Sequence, residues 1–546
     1  MSSSQIDDTQ QQHASVPKNI VSKDQLATVP VEFLSSDPKR PLCFQDASGS
    51  LHFHSLRPFF YSAIFIVMLE SFERFCYNGI MFSQEFYLTG GYNPDWNASM
   101  TPVQASTFVS TATTLTYLSP LIGGLLADLV FGDYVEILLG SCLLYIPGLL
   151  LIAMTAIPEL LGSDFNHGTL IAGTLVLWPL GAGAMKSVVN VFGAKQYHPV
   201  LQSTGLENFY VYYYMMKNVG SLAGGILIPL IAETNQGIAF SLPVLIFSFG
   251  LVLFAILRHR YVQLQPDRSI LLSTLRAFGK RVTCRSADGD SSLVRIKQLL
   301  LVVPVASLTI PFALVYFQLA TVFVMQGAAM ETTWKMNATL MNNLDAITVI
   351  VVGFIMSQYL YPFLSRKYGI VVPTTTKFAV GTTLAALSIL GLVGVDRAIR
   401  RVYQDDGTSI HVMWQTISYV FVGGAKVFCF SAVYEVTFII APRELKGLAS
   451  SLMIIVIGSI PNMLSASLYN LCKSWLPASN TLEGYIASDF ASYLWMMFGI
   501  TSFASLVLFT PPLRKWVEGL KINENIPLQV SETSKTGTET TRDDSV

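Results

Sequence analysis

The sequence predicts an all-α polytopic membrane protein, about twelve transmembrane helices in two six-helix bundles. Three observations carry that reading. The 546 residues are 52% hydrophobic and 13% charged, too apolar for a water-soluble chain of this length. A window of about 19 residues finds about twelve apolar stretches, each long enough to cross a bilayer as a helix. The largest polar break among them, Arg258 to Lys297, falls after the sixth.

Residues 1–57 are rich in Ser, Gln and Asp and lack an apolar core of signal-peptide length, so they read as a disordered cytoplasmic tail. Spans follow at 58–83, 103–127, 134–157, 168–190, 209–233 and 238–257, giving an N-terminal bundle over 58–257. The linker, 258–298, carries Arg258, Arg260, Arg268, Arg276, Lys280 and Arg281 among its bases. By the positive-inside rule it is cytoplasmic, and both tails with it. The second bundle, 299–511, holds spans at 299–326, 340–363, 371–395, 412–440, 446–472 and 488–511, and a polar tail runs over 512–546. Arg397, Arg400 and Arg401 fall on the opposite side and speak against the span boundary at 395. Two Asn-x-Ser/Thr sequons, at Asn97 and Asn337, land in loops of that opposite face.

Charge and cysteine usage exclude several classes. With 34 basic and 35 acidic side chains there is no polyanionic partner such as nucleic acid. The six cysteines are scattered, with no Cys-x-x-Cys, so neither a metal site nor a disulfide framework is expected. No catalytic constellation and no large soluble domain stands out, which argues against an enzyme.

The first span contains the residues around which the rest is organised. Glu70, Glu73, Arg74 and Tyr77 follow the i, i+3, i+4, i+7 rule and share one helical face. Ionisable groups at this depth pair with one another or line a watery cavity. Two acids beside one base leave a carboxylate able to exchange a proton. A static ion network that packs helices is the other reading.

This stretch resembles the signature Glu-x-x-Glu-Arg-Phe-x-Tyr-Tyr-Gly of the proton-dependent oligopeptide transporters, a branch of the major facilitator superfamily; Asn78 replaces the second tyrosine. The resemblance extends over about 56–511 and implies two bundles rocking around a midplane site. It also implies a small-molecule substrate, protons as the coupling ion and no other cofactor. The proton machinery it points to is Glu70, Glu73, Arg74 and Lys186, the last in Gly181-Ala182-Gly183-Ala184-Met185-Lys186. A lysine reaching toward the cytoplasmic boundary is the alternative for Lys186.

The substrate-binding residues implied by the same resemblance are Tyr77, Tyr117, Asn218, Tyr316, Gln318, Asp345 and Lys426. Tyr117, in Tyr-x-x-Pro-x-x-Gly-Gly-x-x-Ala-Asp, reads equally well as a core tyrosine bonded to a carbonyl. Gln318 and Gln326 read equally well as inter-helix hydrogen-bonding groups. Helical phase predicts that Lys217 and Asn218 do not both point into one cavity. Where the family carries Gly-Arg or Gly-Lys after the second span, this chain has Gly132-Asp133.

Two departures bear on the substrate. Asp345 stands where the family has asparagine, and Lys426 where it has the glutamate that holds a peptide's amino group. Glu435 lies about 180° around the helix from Lys426 and cannot replace that acid. Either Asp345 takes over amine binding with Lys426 as its ion-pair partner, or Arg74, Lys186 and Lys426 favour an anion such as nitrate. Family resemblance favours di- and tripeptides or peptide-like solutes, carried by symport. A non-transporting nutrient receptor is a further reading, against which Glu70 and Glu73 speak. The expected setting is the lipid bilayer of the plasma membrane or of a vacuole or lysosome, the expected state a monomer.

Overall fold

The computed structural model describes residues 22, 24–45, 50–186, 188–263, 291–332, 338–356, 359, 363, 367, 372–441 and 446–522. The linker bases Arg268 to Lys280 and the sequon residue Asn337 lie outside them, as does Asp128 at the level of its side chain. The helices are α1 Ile64–Thr89, α2 Pro102–Leu118, α3 Pro120–Leu126, α4 Asp133–Ala156, α5 His167–Ala194, α6 Ser203–Ala232 and α7 Gln236–Ile256 in the first half. In the second half come α8 Ser291–Ser307, α9 Ile310–Ala328, α10 Asn343–Ile355, α11 Thr374–Asp406, α12 Thr416–Ile440, α13 Leu448–Leu471, α14 Phe490–Leu508 and α15 Pro511–Ile522.

Among the described residues, nine helices are long and apolar enough to cross a membrane. They are α4, α5, α7, α9, α11, α13 and α14, with most of α6 and α12. Three further spans expected from the sequence coincide with α1, with the pair α2–α3, and with α10. Each has a reason for its shape. In α1, Glu70, Glu73, Arg74 and Glu85 dilute an otherwise apolar helix. Pro120 interrupts the second span after Ser119, since proline offers no N–H to the preceding turn. Gly90 ends α1 in the left-handed conformation, φ 83°, and its N–H donates to the Phe86 carbonyl. A capping box between Thr101 and Gln104, with Pro102 in the first turn, starts α2.

Each half buries its own apolar core. One joins α1, α4, α5 and α7 through Phe75, Tyr145, Trp178 and Phe247. The other joins α9, α11, α12 and α14 through Phe312, Ile389, Tyr419 and Met497. Within the first half, α6 lies against α1 almost backbone to backbone. A Cβ on Gly220 or Gly224 would strike the carbonyls of Ser71 and Phe75. A similar approach of Gly123 and Gly183 seats α3 on α5. The Ser119 hydroxyl locks it by donating to the Pro179 carbonyl at 2.7 Å.

Two expectations need correction. The segment before α1 is not wholly a disordered tail: over 24–45 and 50–54 it forms 3-10 turns and an antiparallel strand pair, the hairpin β1 Leu42–Gln45 with β2 Leu51–His54. Its polar composition hid a small apolar cluster, Val29, Leu42 and Leu201, that ties it to the end of the molecule where α1 begins. We call that the near end, and the opposite one the far end. The second correction concerns the ninth span, which runs on to Asp406 instead of ending at 395. Arg400 extends it by pairing with Asp396 at 3.1 Å and donating to the carbonyls of Ile486 and Ser488.

The hairpin is held by buried histidines. His54 Nδ1 lies 3.2 Å from the Gln196 carbonyl, and His198 Nε2 lies 3.1 Å from that of Cys43. Nδ1 of His198 accepts the N–H groups of Val200 and Leu201, so this ring is neutral with both nitrogens satisfied. Burial pushes His54 from 6.5 down to about 4, and pushes His198 down as well. A histidine with a lowered folded value stabilises above its unfolded value and loses that contribution as pH falls between the two. The window for His54 is therefore 6.5 down to about 4, worth about 3 kcal/mol at 1.36 kcal/mol per unit. The hydrogen-exchange protection factors of residues 42–45 and 50–54, corrected for the intrinsic pH dependence of exchange, should fall as pH is lowered from about 7 to about 5, ahead of any change in α1. Unchanged protection of the hairpin over that range would rule out the histidine anchor.

Candidate functional site

The face of α1 predicted from its spacing is where the structure concentrates charge. Glu73 is fully buried and Glu70 nearly so. Arg74 pairs with both, through its Nη2 to Glu73 and at 3.4 Å through its Nε to Glu70. From α6, Lys217 Nζ reaches within 3.9 Å of Glu70. The Tyr145 hydroxyl donates to Glu73 Oε1 at 3.4 Å. Tyr145 closes a π-helical turn in α4, Ser141–Tyr145. A Cβ on Gly181 of α5 would overlap the Tyr145 backbone, so α4 and α5 meet closely at that turn.

Lys186, grouped with Glu70 and Glu73 by the resemblance, makes no ion pair with either. Its ammonium lies 4.0 Å from the Tyr77 ring and 4.7 Å from the Tyr117 ring, and its Nζ has no hydrogen-bond partner among the described residues. Cation–π contact offsets part of its desolvation. Arg74 already occupies the acids, which explains the geometry.

Between the halves lies a cavity of about 490 Å³. It is lined by Arg74, Tyr77 and Asn78 of α1, Tyr117 of α2, Tyr214, Lys217 and Asn218 of α6, Tyr316 of α9, Asp345 of α10, and Lys426 and Tyr434 of α12. Lys426 and Asp345 pair across it at 2.6 Å, and the Lys426 ammonium sits 4.8 Å from the Tyr316 ring. The second carboxylate oxygen of Asp345 is buried without a hydrogen bond. Tyr214 and Tyr434 are about half exposed at the near end, whereas Asn342 and Tyr419 are shut away toward the far end. This conformation therefore opens toward the near end.

Most of the expected site residues come together here, with two corrections. Gln318 does not face the cavity: it is fully buried and its amide donates to the Met497 sulfur at 3.5 Å. Two residues along a helix turn by about 200°, so Tyr316 and Gln318 point opposite ways. Conversely, Lys217 and Asn218 both line the cavity. The lysine stem is long enough to bend around the helix, which phase alone does not capture. Asn218 lines it while its amide donates to the Tyr214 carbonyl. Gln326 is likewise structural, bonded to Leu392 and Tyr485.

Spacing on α1 alone could not flag Tyr145 and Lys217. Asp133 and Lys195 were missed too; they pair at 2.6 Å at the near ends of α4 and α5, where the expected base after Gly132 is absent. Glu435 pairs with Lys377 of α11 at 2.7 Å, away from Asp345, as its helical phase required.

The family model described as the POT family matches residues 134–290 and 279–482. The chain is 25% identical to the NRT1/PTR family 8.3 protein of Arabidopsis thaliana over 82% of its own length and 89% of that protein's. It is 25% identical to human solute carrier family 15 member 1 over 62% of this chain, spanning about half, 52%, of that protein. Among solved structures it is similar to the POT family transporter PepTSo, TM-score 0.69 at 19% identity, covering 84% of this chain and 98% of that one. A POT family transporter in complex with 5-aminolevulinic acid superposes with TM-score 0.62 at 17% identity, covering 83% and 96%.

The Asp345–Lys426 pair gives a stability test. Removing one member of a buried pair leaves an uncompensated charge and costs about 3–5 kcal/mol, while an apolar pair of similar volume is often neutral. Asp345→Leu alone should lower the thermal midpoint in detergent, and Asp345→Leu with Lys426→Met should recover most of the loss. Two single losses that simply add in the double variant would show that these side chains do not interact.

Proposed function

Since the chain belongs to the POT family, and its fold is that of transporters, we propose that it is a proton-coupled symporter of di- and tripeptides or peptide-like solutes. One observation carries the reading. A buried cluster with two acids on one guanidinium borders, through Arg74, a cavity of about 490 Å³ between two bundles. That volume is in the range of small organic ligands and generous for an ion as small as nitrate.

Distinct groups would take the two ends of a zwitterion. Lys186, lacking a carboxylate of its own, is the natural partner for a substrate carboxylate near Tyr77 and Tyr117. The unbonded oxygen of Asp345 would receive an ammonium, with Lys426 giving way in part. Protonation of Glu73 would release Arg74 toward the cavity, which couples proton and substrate. The near end is assigned to the cytoplasm: α7 ends there beside the bases Arg258 and Arg260, and Asn97 lies in the loop beyond the far end of α1. We place the protein in the plasma membrane or a vacuolar or lysosomal membrane, as a monomer that uses no cofactor beyond the proton.

A second reading has its own support. Arg74, Lys186, Lys217 and Lys426 outnumber Glu70, Glu73 and Asp345 by four to three, so the fully ionised site carries an excess of +1. An anion without an amine would meet that excess.

Glu73→Gln in proteoliposomes should abolish uphill uptake driven by a pH gradient while leaving counterflow exchange measurable; normal uphill uptake would end the coupling role. Dialanine and nitrate then separate the two substrate readings. If the amine is bound, Asp345→Asn should weaken dialanine uptake about tenfold or more, the loss of one charge-assisted bond. If an anion is carried, Lys426→Glu should be the damaging change and Asp345→Asn nearly neutral. Dialanine uptake gained only when Asp345→Asn and Lys426→Glu are combined would exclude dipeptides as the natural protein's substrate.

A further inference from the structure

Beyond the cavity, on the same face of α1, stands a carboxylate that no part of this mechanism uses. Tyr77, Met81 and Glu85 are spaced by four, so Glu85 lies over the cavity toward the far end. It is about 18 Å along the helix from Glu73 at 1.5 Å per residue. Glu85 is fully buried and neither carboxyl oxygen has a hydrogen-bond partner among the described residues. Its polar neighbour is Ser106 of α2.

Among the described residues no cation answers it. The helices packed on α1 here are α2, α6 and α7, and residues 102–116, 219–232 and 236–256 contain no charged side chain. The 3-10 turn Gln318–Ala320 and the turn Ala338–Met341 add none. Across the interface the titratable groups facing it are Tyr419 of α12 and Tyr469 of α13. Both are committed, Tyr419 to Asn342 at 3.3 Å and Tyr469 to Thr321 at 2.7 Å. Arg400, at the far end of α11, is held by Asp396. An isolated ionised carboxylate inside a membrane protein is costly enough that such a group is carried as the neutral acid.

The surroundings of Glu85 form a seam between the halves. Asn480 donates to Thr89 Oγ1 at 2.8 Å, Asn343 to the Gly225 carbonyl at 2.7 Å, and Asn470 to Thr107 Oγ1 at 3.3 Å. Alternating access requires this seam to part, and parting it would give Glu85 to water.

We propose that Glu85 is a second proton-binding site, built into the far-end gate and separate from Glu70 and Glu73. As the gate closes, the Glu85 carboxylate takes one proton from water on the far side, forming its O–H bond. As the gate opens, the same proton returns to that water. Closure is thereby linked to far-side acidity: above the ordinary glutamate value of about 4.3, the open-to-closed ratio gains up to tenfold per pH unit. The inference rests on the alternating-access reading above.

The test is spin-label distance measurement in nanodiscs between Asp95→Cys and Lys473→Cys, exposed positions on either side of the seam, with Cys142→Ala and Cys284→Ala. Two distances are expected, the longer gaining up to tenfold in relative population per pH unit. Glu85→Gln, and independently Glu85→Met, should flatten that dependence and hold the gate closed. Glu73→Gln should retain it. Two distances whose pH slope survives in both Glu85 variants, or vanishes in Glu73→Gln, would overturn the assignment to Glu85 alone. One unchanging distance at every pH would overturn the alternating-access reading and this inference with it.

Discussion

Arg74 pairs with two carboxylates at once, in a buried part of α1. A single guanidinium satisfies one carboxylate fully; the second must find help or a proton. Much of the surrounding architecture answers that shortage. The glycines of α6 let Lys217 approach Glu70, and the π turn of α4 delivers the Tyr145 hydroxyl to Glu73. A π turn shifts the helical phase by one residue, a device often found at functional sites. Here it turns a tyrosine toward the acid while α4 continues on its course.

Across the cavity, Asp345 and Lys426 obey the opposite arithmetic. One acid meets one base at 2.6 Å and the charges balance. A balanced pair resists change unless a ligand offers each member a replacement, whereas Glu70 and Glu73 share Arg74 and have Lys217 only at 3.9 Å, an arrangement that a proton on either acid would relieve. On the function proposed above, the cavity has one wall that responds to protons and one that selects the substrate. Lys186 stands between them on aromatic rings, positioned against Tyr77 and Tyr117 by the close seating of α3 on α5.

The parts of this design legible in the sequence are those set by helical period and membrane depth. The shared face of Glu70, Glu73, Arg74 and Tyr77 follows from spacing alone, and the separate fate of Glu435 from a half-turn. Asp345 and Lys426 stood out because charges within apolar spans need partners. The failures have physical causes too. Phase places a Cα and not the end of a four-carbon stem, which is why Lys217 escaped. Gln318 followed a motif while its phase pointed elsewhere. The hairpin before α1 is held by histidines and a three-residue apolar cluster, with contacts from residues about 150 positions on, such as His198 to Cys43. Glu85 lay outside the motif, and its isolation is a property of the neighbouring helices that no local pattern records.

The manner of closure at the far end also follows from the kinds of bond used. Three asparagine amides, Asn343, Asn470 and Asn480, bridge the halves there through neutral hydrogen bonds. A neutral bond contributes a net of about 1 kcal/mol, so such a seam is held by only a few kcal/mol. That is similar to the free energy attached to moving one carboxyl group between water and a buried site through a few pH units, at 1.36 kcal/mol each. A gate of neutral bonds is therefore weak enough for a single proton to bias it. A gate of buried ion pairs would be far less responsive, because each broken pair strands two charges. At the near end Asp133 and Lys195 form such a pair, yet both belong to the first half and tie α4 to the end of α5 without spanning the cavity. Strong pairs hold each half rigid, and weak bonds join the halves to each other. Rigid bodies with a weakly bonded seam are what rocking about a midplane site requires.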